Sequence, residues 1–151
     1  MRVVIQRVRK ALCQVDGETI GAVNKGMVVF LGIEKKDKLQ DAEYLAEKLV
    51  NLRIFDDERG KMNLSLTQTK GEILIIPQFT LYGNCRKGLR PNFTEAAPPE
   101  VARRFYLKFI ELVKKRIDKV ENGEFGSRMR ILVDNEGPVT LILDSKQDLG
   151  E

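Results

Sequence analysis

Histidine and tryptophan are absent from this sequence of 151 residues, and cysteine occurs only at Cys13 and Cys85. The lack of histidine excludes serine–histidine and cysteine–histidine nucleophile systems, histidine general bases and most zinc chemistry. Two cysteines supply neither a disulfide framework nor the four ligands of a structural zinc site. We therefore expect no metal and no cofactor, and any catalysis has to use other side chains.

Long apolar segments are also missing. The longest uninterrupted apolar run, residues 27–31, has the length of a strand, far below the roughly 20 residues that a membrane-spanning helix requires. The first ten residues, MRVVIQRVRK, return to charged side chains after three apolar ones and lack the apolar centre of a secretory signal. We therefore expect a cytoplasmic protein with no membrane association.

Length and charge set broad limits. A chain of this size without repeats, linkers or low-complexity segments predicts one domain, residues 1–151. Lysine and arginine number 26 against 22 aspartates and glutamates, so the formal net charge is +4. This small basic surplus is compatible with a polyanionic partner, but on its own it does not indicate nucleic acid.

The strand pattern predicts an α+β fold with mostly antiparallel sheet. Residues 2–8 and 11–17 read as two short strands, and the pair Asp16-Gly17 marks the turn of a hairpin. From Gly26 a run that is apolar on both faces predicts a central strand. Near the carboxyl terminus, two further strands are predicted on either side of the turn Asn-Glu-Gly-Pro, residues 135–138.

Two main helices are predicted. Asp37 is expected to cap the first, with Gln40 completing a capping box, because apolar residues then recur every three or four positions up to Leu52. The second is expected to begin at Pro98-Pro99, where proline suits the first turn. The basic side of this second helix is either a solvated surface or a binding stripe: it carries Arg103, Arg104, Lys108, Lys114 and Lys115.

Polar side chains follow an apolar strand in the segment ILIIPQFTLYG. If the chain stays extended, Gln78 and Thr80 lie on one side and Phe79 on the other, so the two polar groups can face a cleft together. A side-chain amide can donate to an ester carbonyl or to the oxyanion formed from it, and a hydroxyl can bind or attack. The alternative is that both residues satisfy backbone groups at a strand end.

A nucleophilic threonine needs a base beside it, and no histidine can be that base. Carboxylates could act instead, but the spacing selects none of the five candidates, which are Asp56, Asp57, Glu95, Asp134 and Glu136.

The loop NCRKGLRP combines glycine with cations. Arg86, Lys87 and Arg90 suit the phosphates of a nucleic-acid backbone. The same cations can lower the pKa of Cys85 and sensitise it to oxidation, although catalysis by this cysteine is the weaker interpretation.

Gly137 and Pro138 stand directly before the buried strand VTLIL. A Gly-Pro pair cannot join a central ladder in the usual way. The pair either serves only as a turn between two strands or has a function of its own.

The ordered set of segments MRVVIQRV, NLRIFDDERGKMNLSL, QFTLYGNCRKGLRPNF, EAAPPE, GEFGSRM and NEGPVTLILDS covers nearly the whole chain and resembles the D-aminoacyl-tRNA deacylase family. The resemblance implies the fold of that family, with barrel-like β-sheet, and a homodimer whose active sites lie at the subunit interface. It implies metal-free hydrolysis of the ester between a D-amino acid and the 3′-terminal adenosine of tRNA. Glycyl-tRNA is a further implied substrate, because glycine lacks the side chain by which an L-residue is rejected.

Residue by residue, the resemblance assigns Gln78 and Thr80 to catalysis and several residues to substrate binding. Its Ser-Gln-x-Thr-Leu signature falls on residues 77–81, but Pro77 replaces the serine and removes both a hydroxyl and a backbone N–H. The implied substrate-binding residues are Arg7, Phe79, Phe125, Met129, Gly137 and Pro138. Phe125 and Met129 match the adenosine pocket, where Ser127-Arg128 replaces the usual small-acidic pair, and Cys85 replaces a common threonine.

The Gly-Pro bond of the family is cis and enters the active site of the other subunit. Its carbonyl oxygens there face the α-carbon of the substrate, so an L-side chain is excluded by backbone. Arg7 is implied to help fix this loop. The 2′-hydroxyl of the terminal ribose can assist attack by water, and we therefore favour positioning by Thr80 over nucleophilic attack.

Two other classes of function remain open at this point. One is a non-catalytic RNA- or DNA-binding dimer on the same scaffold, because a fold does not determine a function. The other is a small-molecule esterase, which the absence of serine–histidine machinery and the presence of the basic loop both disfavour.

Overall fold

Residues 1–150 are described by the structure, which is a computed structural model. They form eight strands, four α-helices and one 3-10 turn. In chain order these are β1 (Arg2–Val15), β2 (Glu18–Val23), β3 (Gly26–Gly32), α1 (Leu39–Asn51), β4 (Phe55–Asp56), β5 (Met62–Leu64), α2 (Leu66–Thr69), β6 (Glu72–Pro77), the 3-10 turn Phe79–Tyr82, α3 (Pro99–Lys114), β7 (Val120–Asn122), β8 (Arg130–Asp144) and α4 (Ser145–Leu149).

Six strands form one mixed sheet in the order β2-β1-β3-β6-β7, with β8 paired to the other side of β1. β1 is antiparallel to β2, β3 and β8, whereas β3, β6 and β7 run parallel. The sheet curls until β2 approaches β7: a Cβ on Gly21 would lie 3.3 Å from the carbonyl oxygen of Asn122. The predicted α+β class with mostly antiparallel, barrel-like sheet is thereby confirmed.

Two long strands replace the four short ones that were predicted at the two ends of the chain. β1 continues through Arg9 and Lys10, because a bulge at this point lets both charged side chains face solvent without breaking the ladder. β8 likewise continues past Gly137-Pro138. The predicted strand breaks were wrong because a bulge interrupts the hydrophobic alternation without ending the strand.

The main core lies between one face of the sheet and the two long helices. Helices α1 and α3 bury their apolar stripes there, with Leu45, Leu49, Phe109 and Val113 fully enclosed. This burial, at about 25 cal/mol per Å² of apolar surface, is the main source of helix stability. No helix within residues 1–150 is long and apolar enough to cross a membrane.

The predicted start of α1 was wrong by one residue and in its cap. Asp37 does not cap the helix; its carboxylate accepts a hydrogen bond from the amino group of Met1 at 2.5 Å and another from the backbone N–H of Glu34 at 2.7 Å. The helix begins at Leu39, and Asp41 accepts from the backbone N–H of Lys38 at 2.7 Å. The carboxylate of Asp37 therefore binds the amino group of Met1, which is distant in the chain, and does not cap the neighbouring helix. The second helix begins at Pro99, as predicted.

Candidate active site

A cavity of about 700 Å³ opens at the carboxyl ends of the parallel strands β3, β6 and β7. Strand ends of this kind are common ligand sites, because the chains diverge there and leave a crevice between their loops. The walls are mainly apolar and include Ile76, Pro77, Phe125 and Met129. Their polar side chains are those of Lys35, Gln78, Thr94 and Ser127. This is the composition expected of a site that encloses a small organic ligand and orients it with few polar contacts.

Gln78 stands at the end of β6, on the cavity wall. Its backbone N–H donates to the carbonyl oxygen of Leu31 at 2.8 Å, which continues the pairing with β3 by one residue. The chain then enters the 3-10 turn Phe79–Tyr82 instead of remaining extended as predicted. Gln78 lines the cavity as expected, but Thr80 does not. The turn instead folds the hydroxyl of Thr80 back onto the side-chain amide of Gln78, which donates to it.

Aromatic side chains flank this turn. Phe79 is 57 % exposed and meets Phe93 edge to face, with ring centroids 5.2 Å apart at 71°. Both rings line the cavity, whereas Thr80 contacts it only through Gln78. No sequence pattern predicted Phe93 as a site residue, because it lies after the basic loop and reaches the cavity only through the fold.

The two residues that match the adenosine pocket of the resembled family lie on the same wall. Phe125 packs against Tyr106 with centroids 5.9 Å apart. Met129 packs on Gly123 so closely that a Cβ there would come within 2.6 Å of its sulfur. Between them, the hydroxyl of Ser127 donates to the carboxylate of Glu124, and Arg128 is exposed. The structure therefore brings Gln78, Phe79, Phe125 and Met129 together around one cavity.

Arg2 and Tyr82 stabilise the 3-10 turn Phe79–Tyr82. The guanidinium of Arg2 donates to the carbonyl oxygen of Leu81 at 2.9 Å and to the carboxylate of Asp144 at 2.8 and 3.0 Å, and it lies 4.9 Å from the ring centroid of Tyr82. The hydroxyl of Tyr82 is buried and has no hydrogen-bond partner in residues 1–150. Burial, helped by the charges of nearby carboxylates, raises the pKa of Tyr82 far above its ordinary value.

Gly137 and Pro138 form a protruding loop within the β1–β8 ladder. From Gln6 to Val8, β1 advances two residues, whereas β8 runs from Thr140 back to Asn135, five residues, so β8 has three extra residues here. The bond between Gly137 and Pro138 is cis, as the resemblance implies. Both residues are exposed, and a Cβ on Gly137 would meet nothing within 4 Å.

The base of this loop is held firmly. Arg7 is only 4 % exposed, and its guanidinium donates to the carbonyl oxygens of Gly137 at 3.1 Å and Glu136 at 3.2 Å. It also donates to the carbonyl oxygen of Ile54 at 2.8 Å. The side-chain amide of Asn135 donates to the carbonyl oxygens of Arg7 and Val139 at 2.9 and 3.2 Å. The contact between Arg7 and the loop that the resemblance implies is present.

The loop and the cavity of one chain lie apart. Arg7 pairs with Met27, whereas Leu31, at the cavity, pairs with Val3; the four residue steps from Met27 to Leu31 span about 13 Å of strand. None of residues 136–138 lines the cavity. Arg7, Gly137 and Pro138 thus form a second cluster, separate from the cavity of their own chain.

The basic loop is a pinched hairpin beside the cavity. Asn84 and Asn92 exchange backbone hydrogen bonds of 2.7 and 2.9 Å at its neck, and the cations Arg86, Lys87 and Arg90 are all exposed. Cys85 is exposed as well. The loop follows the turn that carries Gln78 and Thr80, and it ends at Phe93 on the cavity wall. Within residues 1–150, no three histidine, cysteine or acidic side chains are grouped so that they could hold a metal ion.

Comparison with known proteins relates this arrangement to one family. Residues 4–144 match the family model described as D-Tyr-tRNA(Tyr) deacylase. The chain is 55 % identical over 147 residues to the D-aminoacyl-tRNA deacylase of Thermosipho africanus, covering 97 % of this chain and 99 % of that protein. It is 56 % identical over 147 residues to the D-aminoacyl-tRNA deacylase of Fervidobacterium nodosum, with the same coverage.

Among solved structures, the chain is similar to the protein described as c-Myc DNA Unwinding Element Binding Protein. The TM-score is 0.91 at 40 % sequence identity, and the match covers 95 % of this chain and 98 % of the other.

Proposed function

Because the chain belongs to the family of D-Tyr-tRNA(Tyr) deacylases, we propose that it hydrolyses the ester between a D-amino acid and the 3′-terminal adenosine of tRNA. The family consists of hydrolases, so the chain is an enzyme of that class. The observation that carries the proposal is the placement of Gln78. Its amide lies on the wall of a largely apolar cavity, in contact with the hydroxyl of Thr80.

In the proposed complex, the terminal adenosine occupies the part of the cavity between Phe125 and Met129. The ester carbonyl then lies beside Gln78, whose amide donates to the oxygen on which negative charge develops. Phe79 borders the bound aminoacyl group. Thr80 orients Gln78 and the attacking water, and the 2′-hydroxyl of the ribose assists the attack from the substrate side. This assignment needs no histidine and no metal ion.

Selectivity for the D-enantiomer is assigned to Gly137 and Pro138 of a second copy of the chain. Three observations support this: the loop protrudes, its carbonyl oxygens are held by the buried Arg7, and it lies away from the cavity of its own chain. In a two-fold dimer the loop of each subunit enters the cavity of the other. An L-side chain would collide with the loop, whereas a D-residue or glycine presents only hydrogen, so glycyl-tRNA is also a substrate.

The surface proposed for this dimer is β8. It is an edge strand of 15 residues, and three apolar side chains along it are exposed: Leu132 at 41 %, Leu141 at 39 % and Ile142 at 69 %. An edge strand with exposed apolar side chains is a surface that proteins normally cover. The proposed enzyme acts in the cytoplasm, where aminoacyl-tRNA is found, and the cations Arg86, Lys87 and Arg90 contact the acceptor arm.

The test is deacylation of D-tyrosyl-tRNA beside L-tyrosyl-tRNA and glycyl-tRNA by the purified protein, with and without prior treatment with a chelator. We expect rapid release of D-tyrosine and glycine, slow release of L-tyrosine, and rates that the chelator leaves unchanged. Equal rates on D- and L-tyrosyl-tRNA would contradict the chiral filter. Activity that disappears with the chelator and returns only with a divalent ion would contradict the metal-free mechanism.

A second candidate is binding of nucleic acid without catalysis. It is favoured by one observation, the similarity to a protein whose name describes it as binding a DNA unwinding element. Fluorescence anisotropy with duplex DNA and with uncharged tRNA tests it in the same preparation. DNA binding by a protein that leaves D-tyrosyl-tRNA intact would replace the hydrolase proposal.

A further inference from the structure

Among the side chains of residues 1–150 that line the cavity, Lys35 is the only charged one. The other polar groups there, such as Gln78, Thr94 and Ser127, are neutral. Lys35 is exposed, and within residues 1–150 its ammonium group forms no ion pair. The adjacent Lys36 is also exposed but does not line the cavity. A single unpaired cation on an otherwise uncharged wall suits an anionic group of the ligand.

The backbone around Lys35 is well anchored, so its side chain starts from a fixed position beside the cavity. The N–H of Lys35 donates to the carbonyl oxygen of Glu95 at 3.1 Å, and Glu34 pairs with Ala96 as an isolated bridge. Ala96 and Ala97 line the same cavity. Lys35 follows β3 and Gln78 follows β6, and these strands are paired and parallel, so the two residues project from the same edge of the sheet.

The chemistry of the proposed substrate identifies the anion. The carboxyl group of the amino acid is esterified and carries no charge, and the α-amino group is cationic at neutral pH. Adenosine is neutral. The nearest anion is therefore the phosphodiester that joins the terminal adenosine to the preceding nucleotide. Resting on the function proposed above, we propose that Lys35 binds this phosphate and so makes the site selective for aminoacyl-tRNA over a free aminoacyl nucleoside.

The experiment compares two substrates that share the ester and differ in the phosphate, D-tyrosyl-tRNA and 3′-O-D-tyrosyl-adenosine. Lys35→Ala should raise KM for the tRNA ester about tenfold, because a hydrogen bond to a charged group is lost. It should leave kcat/KM for the adenosine ester unchanged. Lys35→Arg should retain parental KM, and Lys36→Ala is the matched control that should alter neither substrate. The salt dependence of log KM for the tRNA ester should also fall by about 0.7 in Lys35→Ala, as expected for one lost contact to a single strand.

Three results would overturn the inference. An equal effect of Lys35→Ala on both esters would place Lys35 against the nucleoside or the cavity wall. No effect on the tRNA ester would mean that the cation does not contact the phosphate. Equal effects of Lys35→Ala and Lys36→Ala would indicate only a general electrostatic attraction between this basic region and tRNA, without a specific phosphate contact. In each case the parent protein still hydrolyses both esters, whereas a parent inactive on both would overturn the proposed function and this inference with it.

Discussion

Arg7 and Gly137 are 130 positions apart in the chain, yet the guanidinium of Arg7 donates to the carbonyl oxygen of Gly137 at 3.1 Å. The same group reaches the carbonyl oxygens of Glu136 and Ile54. One buried side chain therefore orients the carbonyl groups at the base of the exposed loop. Because a guanidinium offers five donors in a rigid plane, a lysine cannot reproduce these contacts.

Arg7→Lys should lower the free energy of unfolding by about 2–4 kcal/mol, since one buried and two partly buried carbonyl oxygens lose their donors. It should also raise the rate on L-tyrosyl-tRNA relative to D-tyrosyl-tRNA, because the loop is no longer held. Urea unfolding and parallel deacylation assays measure the two effects. Arg9→Lys is the control: Arg9 is 73 % exposed and its contact with Glu136 is 3.8 Å long, so we expect a change within about 0.5 kcal/mol and unaltered selectivity.

Gln78→Ala should reduce kcat by about 10²–10³, as expected when a donor to a developing oxyanion is removed. Thr80→Ala should retain measurable turnover, because in the proposed mechanism the hydroxyl of Thr80 orients the amide of Gln78 and is not the nucleophile. Removal of the 2′-hydroxyl from the terminal adenosine should slow the reaction more than Thr80→Ala does. An acyl group trapped on Thr80 and detected by mass spectrometry would instead establish covalent catalysis, and an unchanged kcat in Gln78→Ala would make Gln78 structural.

Ile142→Lys should convert the proposed dimer into monomers and abolish deacylation at the same time. Ile142 is 69 % exposed in the single chain, so the substitution leaves the folded subunit intact while it places a charge in the proposed interface. Sedimentation velocity and circular dichroism report assembly and folding separately. The control is Leu107→Lys on α3, where Leu107 is 53 % exposed. A monomeric Ile142→Lys protein with parental activity and selectivity would exclude a filter supplied by the partner.

The dependence of KM on salt concentration distinguishes the two basic surfaces, which are the basic loop and the basic side of α3. Combined replacement of Arg86, Lys87 and Arg90 by alanine should reduce the salt dependence of log KM for D-tyrosyl-tRNA by about 2, at roughly 0.7–0.9 for each lost phosphate contact. The comparison variant replaces Arg103 and Lys114 on α3 together with Lys115, which caps its carboxyl end, and so removes the same number of positive charges. If this second variant shows the reduction and the first does not, the tRNA contact lies on the helix.

Tyr82→Phe should leave stability unchanged or raise it by up to about 1 kcal/mol, since it removes a buried hydroxyl that has no partner in the described chain. Tyr106→Phe is the matched comparison. The hydroxyl of Tyr106 lies 2.9 Å from the carbonyl oxygen of Ile75 and 2.8 Å from that of Gly123, so its loss should cost about 1–2 kcal/mol. Thermal unfolding measures both, and equal destabilisation by the two substitutions would show that Tyr82 has a partner after all.

Local patterns predicted many elements of the fold well. The hairpin at Asp16-Gly17, the central strand from Gly26 and the helix that begins at Pro99 all depend on neighbouring residues, and all three are present. Asp37 is a residue whose neighbours in the sequence gave a wrong prediction. Its sequence context is that of a helix cap, but its carboxylate forms a buried ion pair with the amino group of Met1 instead.

The sequence by itself determined the fold class, the absence of histidine chemistry and the set of motifs that identifies the family, because composition and order of residues need no coordinates. The tertiary structure decided which of these motifs meet. It placed Gln78, Phe125 and Met129 around one cavity, added Phe93 and Lys35 to its wall, and separated Gly137 from it. The physical reason is that strand pairing sets distances between residues far apart in the chain: the parallel register of β3 and β6 brings Lys35 and Gln78 to one edge, and the antiparallel register of β1 and β3 carries Arg7 to the other.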